Sequence, residues 1–376
     1  MKIIRTATLG TSLNTFCEGL LKELTNEGFE VIALSSPDEE LAELGEREGV
    51  RTIGVKMERR VSPLKDFISL MKIMRVLMRE KPDMVHSMTP KAGLLCMMAA
   101  KMTGVPVRLH TFTGLVWPTA TGLPRKILMM TDKITCACAT HIVPEGEGVK
   151  QDLQQSITKK SMRVLGYGNV RGVDLDYWKR NKERADGTLF TFVFVGRLVR
   201  DKGINELVAA FVRLLKEYKD TRLLLVGRYE ENLDPILPET KRLIDNSDCI
   251  EAIGQQKDVR PYYEQSDVLV FPSYREGFPN VVLEAGAMGL PSIVTDINGS
   301  REIIEQGKNG VIVPSHDEKA LYNAMKWMIE HPNERKTMAE NSRPMVTSRF
   351  EQSYVRQCLK DYYKEILCGI TSTHGC

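Results

Sequence analysis

Apolar positions along the chain come in short blocks separated by longer amphipathic stretches. Ile3–Thr8, Glu30–Leu34, Arg51–Val55, Met84–His86, Val107–Phe112 and His141–Val143 read as strands, with helices at Phe16–Asn26, Glu39–Glu48 and Leu64–Lys81. A second alternation begins with strand Phe190–Val195, helix Asn205–Tyr218, strand Arg222–Val226 and a helix near Asp258–Glu264. It continues with strand Val268–Phe271, a helix from about Asn280, and strands Ser292–Thr295 and Val311–Val313. Helices at Ala320–Trp327 and Asn333–Ser348 follow, then a closing amphipathic helix, Phe350–Leu367, with a frayed tail at Gly369–Cys376.

Between the two alternations, over Arg163–Asp186, the periodicity lapses into a run rich in glycine, asparagine and charge. The expected architecture is α/β: two Rossmann-like, doubly wound parallel-sheet domains facing across a cleft, 1–170 and 171–350, closed by a helix and tail at 351–376. Ligands of such sheets bind beyond the carboxyl ends of the strands. In the first half that singles out Gly10–Asn14, Ser87–Gly93 and His110–Gly114.

The most informative stretch is Ser266–Gly289. A buried strand ends at Pro272 and Ser273, a polar loop runs over Tyr274–Pro279, and a helix starts beside Pro279, whose missing N–H is not needed in a first turn. Free N–H groups and the helix dipole favour an anion there. Glu276 and Glu284, which frame the junction, repel a bare phosphate but accept hydrogen bonds from hydroxyls. A ligand anionic in the middle and hydroxyl-rich at both ends, such as a nucleotide sugar, satisfies both. GRLVRDKG at Gly196–Gly203 adds Arg197 and Lys202 after the first strand of the same half, a planar fork and a compact charge suited to neighbouring phosphates. Taken alone, that loop could equally be a solvated turn.

The first half is less specific. LGTSLNTF after the first strand has one glycine where a dinucleotide fingerprint has three, which argues against a dehydrogenase. Gly10 is either a turn residue or, with Thr11, a close approach to phosphate or sugar. Lys91, in a loop with Thr89 and Pro90, is either a phosphate contact or a solvated lysine. His110 at its strand end is either structural or a ligand contact.

Length and composition narrow the class. The chain has 376 residues and a net charge of +3, too balanced to suggest a nucleic-acid binder, and no basic recognition helix is visible. Eight cysteines are scattered, and the C-x-C pair Cys136/Cys138 lacks the second pair of a zinc site, so buried thiols and no metal are expected. Met1–Leu9 reads directly as a strand and Ala92–Ala100 is far short of a bilayer span, which points to a cytoplasmic protein.

Charge is uneven, however: Lys56–Lys81 holds eight Lys/Arg against three Asp/Glu. Within it Phe67, Leu70, Met71, Met74, Leu77 and Met78 form one apolar face, opposite Lys65, Ser69, Lys72 and Arg79, with Arg75 at the edge. This is either a helix packed on the sheet with a solvated basic back or one that docks on an anionic membrane. Leu123–Met130 repeats the mixture on a smaller scale.

With these residues in place, the chain resembles the retaining GT-B glycosyltransferases of family 4 over nearly its whole length. The specific motifs are GRLVRDKG and the Glu276-x7-Glu284 pair within EGFPNVVLEAGAMGLP. GFEVIALSSPDEEL, SPLKDFISLMKIMR, HSMTPKAGLL and HTFTG are similar to the bacterial subgroup that extends lipid-linked oligosaccharides, both PglA-like and CapM-like. The resemblance implies a UDP-sugar donor, with a HexNAc expected, and a polyprenyl-diphosphate-linked saccharide acceptor at the inner leaflet of the cytoplasmic membrane. Arg197 and Lys202 would hold the donor diphosphate, Glu284 the ribose and Glu276 the transferred sugar. His110 would lie near that sugar and Gly10 and Thr11 near the β-phosphate. Gly196, Gly277, Phe278 and Asn280 complete the donor-binding set, and Lys91 and Thr89 would meet the acceptor. Met88 stands where the subgroup leads one to expect a second histidine. Such enzymes need no cofactor or metal, and with no evident nucleophilic carboxylate a same-face substitution is expected. A GT-B epimerase and a non-catalytic sugar-nucleotide-binding protein are the alternatives.

Overall fold

The computed structural model of the chain describes residues 1–59, 62–181, 189–230 and 234–371. They form two compact units, Met1–Gly172 with Ser353–Cys376, and Val173–Gln352.

The first unit begins β1 (Lys2–Thr6), α1 (Gly10–Cys17), α2 (Leu20–Asn26), β2 (Glu30–Ser35), α3 (Glu39–Glu48) and β3 (Arg51–Gly54). It continues α4 (Pro63–Glu80), β4 (Met84–Met88), α5 (Pro90–Met102), β5 (Val107–Phe112), α6 (Gly122–Cys138), β6 (His141–Pro144) and α7 (Glu147–Ser156). Its six strands are parallel in the order β3-β2-β1-β4-β5-β6. Parallel strands are buried on both faces, and apolar clusters accordingly cover each side of this sheet.

The second unit runs β7 (Phe190–Val195), α8 (Ile204–Leu214), β8 (Thr221–Val226), α9 (Pro238–Asp245), β9 (Ile250–Gly254), α10 (Arg260–Glu264) and β10 (Val268–Phe271). Then come α11 (Asn280–Ala287), β11 (Ser292–Thr295), α12 (Ser300–Ile303), β12 (Gly310–Val313), α13 (Glu318–Glu330) and α14 (Pro332–Phe350). The sheet is again all parallel, β12-β11-β10-β7-β8-β9. Its topology is that of the first: the opening strand pairs with the second and the fourth, so the strand order reverses there. That reversal opens the crevice in which such sheets bind ligands.

Four sequence expectations change. The closing helix, α15 (Gln352–Thr371), is not a third segment. Its Leu359, Tyr362, Tyr363, Ile366 and Leu367 join the core of the first unit, where Tyr363 accepts a 2.6 Å hydrogen bond from the buried Arg5 guanidinium. The helix expected at Phe16–Asn26 is two helices, because Gly19 takes a left-handed φ of 71° between them. Gly10–Asn14, singled out as the turn after the first strand, already forms the start of α1.

The apolar face of α4 is also rotated from the predicted one. Ser69, Leu70, Ile73 and Leu77 point inward, and Ser69, expected outside, bonds the Lys56 carbonyl at 2.6 Å. Phe67 and Met78, expected inside, are more than half exposed. Residues 182–188 of the predicted boundary and 372–376 of the tail lie outside the described residues.

Candidate functional site

In the second unit the motifs meet where the strand order reverses. β7 and β10 are hydrogen-bonded neighbours, Val268 beside Phe192 and Leu269 beside Val193, so the loops leaving their carboxyl ends emerge side by side. The β7 loop closes on Gly203 at φ 70°, against the β10 loop: a Cβ there would lie 2.1 Å from the Pro272 carbonyl oxygen. Further bonds clip the two loops together. Tyr274 N–H donates to the Asp201 carbonyl at 2.8 Å, and Arg275 pairs with the Asp201 carboxylate at 2.9 Å.

These clips bring Lys202 onto Glu276 as a close ion pair. The same Glu276 oxygen accepts from the Ser273 hydroxyl at 2.8 Å, and the ammonium stands 5.3 Å from the Phe271 ring centroid. Both side chains are 16 % exposed, open to a ligand but shielded enough for the charges to act strongly. Arg197 lies elsewhere in the loop, its guanidinium on Glu230 at 2.6 Å, and Glu230 also pairs with Arg228 at 3.1 Å. Each predicted phosphate-binding cation is therefore matched to a carboxylate. Glu230 was not singled out in the sequence, since it follows a strand end without a recognisable motif.

Glu284 is the fifth residue of α11 and is buried, its charge adding to burial in pushing the Tyr263 hydroxyl well above its ordinary range. Asn280 opens α11 and Gly196 is half-buried at the end of β7. Gly277 is buried in the loop. Phe278 differs from expectation. Its ring packs on Phe350 at 5.3 Å within the core, so only its backbone can serve a ligand.

In the first unit Gly10 opens α1, and its N–H is held by the Asp38 carboxylate at 2.9 Å. A Cβ on Gly10 would lie 2.1 Å from Asp38 Oδ1, so the glycine is required by this packing. Thr11 beside it is exposed. Lys91 is not in a loop but in the first turn of α5, where it pairs with Asp66 of α4 at 2.6 Å. Thr89, at φ 65°, ties the β4 end to the β1 end: its hydroxyl meets that of Thr8 at 2.8 Å and accepts from Thr8 N–H at 3.1 Å.

His110 is buried, with Nδ1 2.7 Å from the Ser87 hydroxyl and its ring edge-on to Phe112 at 4.4 Å. Burial pushes its pKa down to about 3, opposed in part by bonding to Ser87, so the ring is neutral at physiological pH and acts by hydrogen bonding. It lines a cleft with Thr89, Trp117 and Asp132. Asp132 and Trp117 were not singled out. The signal was present in LPRKILMMTDKITCAC, one carboxylate on the helical row that also carries Leu128 and Cys136. Among the described residues no group of three or more His, Cys, Asp or Glu side chains is arranged to hold a metal ion.

Two parallel Rossmann-like sheets, with the Arg/Lys loop and the Glu-x7-Glu loop adjacent in the second, define the nucleotide-sugar-dependent GT-B class. Residues 12–168 match the glycosyl transferase 4-like domain, and 178–345 match glycosyl transferases group 1. The capsular polysaccharide biosynthesis glycosyltransferase CapM of Staphylococcus aureus is 30% identical, over 97% of each chain. The chain belongs to the GT-B glycosyltransferases of family 4.

Two further relatives act on lipid-linked sugars. An Escherichia coli enzyme named as a UDP-Gal:α-D-GlcNAc-diphosphoundecaprenol α-1,3-galactosyltransferase is 26% identical over 82% of each chain. A Campylobacter jejuni enzyme named as an N,N'-diacetylbacillosaminyl-diphospho-undecaprenol α-1,3-N-acetylgalactosaminyltransferase is 24% identical, covering 95% of this chain and 97% of its own. Among solved structures, Anabaena HepE in complex with UDP superposes with a TM-score of 0.80 at 16% identity, covering 97% of this chain and all of that one.

Proposed function

We propose that this glycosyltransferase moves a sugar, a HexNAc or related hexose, from a UDP-sugar to a polyprenyl-diphosphate-linked saccharide, with retention of configuration and without a metal. The observation that carries the reading is the Lys202–Glu276 ion pair at the strand-order reversal of the second unit. The donor would exchange its partners. Its diphosphate takes Lys202, and Arg197 turns to it from Glu230, while the released Glu276 accepts hydroxyls of the transferred sugar and Glu284 those of the ribose. Gly196, Gly277, Asn280 and the backbone of Phe278 line the donor, Gly10 and Thr11 approach the β-phosphate, and Lys91 and Thr89 meet the acceptor.

Chemistry follows from where charge develops. As the bond from the anomeric carbon to the β-phosphate oxygen breaks, negative charge grows on that oxygen. Lys202, Arg197 and N–H groups at the α11 N-terminus stabilise it by preorganised electrostatics. The acceptor hydroxyl oxygen attacks the same face of the anomeric carbon, and the departing phosphate oxygen takes its proton. Neutral His110 contributes a hydrogen bond to the sugar. Retention is supported by the α-1,3 linkages in the names of two relatives, one of which uses UDP-Gal, whose own glycosidic bond is α.

The acceptor lipid requires a membrane surface, and α4 offers one. Leu64, Phe67, Ile68 and Met78 are exposed among Lys65, Lys72 and Arg79. α5 packs between α4 and α6, and α6 adds exposed Leu123, Ile127 and Met130 beside Arg125 and Lys126. We place the enzyme peripherally at the cytoplasmic face of the membrane. No helix among the described residues is long and apolar enough to cross it.

A screen of UDP-sugars against a polyprenyl-diphosphate-linked monosaccharide tests the reading, with mass detection and NMR assignment of the new linkage, in buffer with and without EDTA. A product heavier by one sugar, α-linked and insensitive to EDTA, is expected. A β-linkage would remove retention. Conversion of UDP-sugar without any acceptor would favour an epimerase.

A further inference from the structure

The cleft at the carboxyl ends of β4 and β5 holds a carboxylate with no role in the donor chemistry. Its walls include Thr89, His110, Thr113, Trp117, Leu128 and Asp132. Asp132 sits on the inward side of α6 and is 8 % exposed. The indole of Trp117 lies close to it, yet the buried Nε1 forms no bond of hydrogen-bonding geometry. A buried indole N–H thus stands beside a buried carboxylate without the bond that burial normally demands of it.

Burial pushes the Asp132 carboxyl up to about 7, offset partly by the Trp117 indole. A titratable neighbour is Cys136, one turn along α6, whose thiol burial and the Asp132 charge push up. A carboxylate held in a buried cleft carries a desolvation cost that an apolar residue of similar volume avoids. A sugar hydroxyl entering the cleft can donate to this carboxylate.

The position of α6 indicates which sugar. One side of the helix places Leu128 and Asp132 in the cleft, while Leu123, Ile127 and Met130 lie exposed on the apolar, basic surface assigned above to the membrane. A lipid-linked saccharide has the matching polarity, an apolar chain for the outer face and a hydroxylated head for the inner one. Thr89 lines the same cleft and immediately precedes the helix that carries Lys91, the proposed contact of the acceptor diphosphate.

We propose that Asp132 binds a hydroxyl of the acceptor saccharide, and that Trp117 is the positioning residue, its indole N–H, unbonded here, closing on that carboxylate when the saccharide enters. The proposal rests on the lipid-linked acceptor of the preceding section and adds the side chains that read it. Two measurements on the full-length protein test it. In the first, KM is measured separately for the UDP-sugar and for the polyprenyl-diphosphate-linked monosaccharide. Asp132→Asn is expected to raise the acceptor KM at least tenfold, with the donor KM within twofold, and Trp117→Phe to raise it three- to fivefold. Equal changes in both KM values, or an unchanged acceptor KM, overturn the assignment.

The second measurement needs no turnover. Tryptophan emission is followed as a short-chain prenyl-diphosphate-linked N-acetylhexosamine is titrated in, with the prenyl diphosphate alone as control. Saccharide-dependent quenching is expected in the wild type and not in Trp117→Phe. Equal quenching by the prenyl diphosphate, or none dependent on Trp117, overturns the proposal. A wild type that binds saccharide here but transfers nothing would instead overturn the activity assigned above.

Discussion

Gly93 leaves the space that the His110 imidazole fills. A Cβ on Gly93 would lie 2.4 Å from Cε1 and 2.9 Å from each ring nitrogen, so this glycine inside α5 is required by the histidine across from it on β5. A helix-interior glycine costs up to about 1 kcal/mol relative to alanine. The cost is tolerated where a second group needs the room.

Gly93→Ala is therefore expected to displace the ring and lower kcat/KM at least tenfold, about 1.4 kcal/mol of transition-state stabilisation. The substitution should do nothing further in a His110→Ala background, because the group it displaces is already gone. Full additivity of the two changes would show that Gly93 acts on something other than the imidazole.

Lys202→Ala and Glu276→Ala should each lower kcat/KM at least tenfold, about 1.4 kcal/mol. The double variant should fall well short of the product of the single effects, since the two groups touch and share one ligand. Near-normal turnover in both single variants would remove the donor-site assignment.

Asp132 links the acceptor cleft to stability. Its folded-state pKa, about 7, lies above the ordinary aspartate value, so the folded protein holds this proton more tightly than the unfolded chain does. The resulting contribution is fully present below about pH 4 and is lost as pH rises through 7. Asp132→Asn carries no charge at any pH. It should become the more stable protein at pH 8, by an upper limit of about 4 kcal/mol, with the gap shrinking toward pH 4. Urea denaturation of both proteins across that range checks the sign, and a gap that widens on acidification contradicts it.

Flotation with anionic liposomes checks the membrane face. Reversing the charges of Lys65, Lys72 and Arg79 should release the protein, each basic residue near such a surface being worth about 1 kcal/mol. Changing Leu64, Phe67 and Ile68 to serine should do so too, and raised salt should weaken binding of the wild type. Equal flotation of the wild type and both variants would rule this surface out.

The sequence by itself determined eleven of the twelve strands among the described residues, because a strand buried on both faces needs an unbroken apolar run wherever it lies. β5 and β10 occupy the residues that their apolar runs marked out. It also determined that GRLVRDKG and EGFPN follow strands, which places both at the ligand-binding end of a parallel sheet. Elements with weaker local patterns did not stand out, among them α5, α6, α7, α9 and β9. α5 has apolar residues all round, and only the neighbouring helices reveal that it is buried.

Tertiary structure alone decided which partners the charged groups take and which side of a helix is covered. Lys202 meets Glu276 and Arg197 meets Glu230 because β7 pairs with β10 and β8, contacts between residues tens of positions apart that no periodicity encodes. The inward face of α4 was likewise set by its packing, which buries Ser69 and leaves Phe67 in solvent. The pattern along a chain records the local alternation of apolar and polar groups. The distance between two side chains is a property of the assembled sheet.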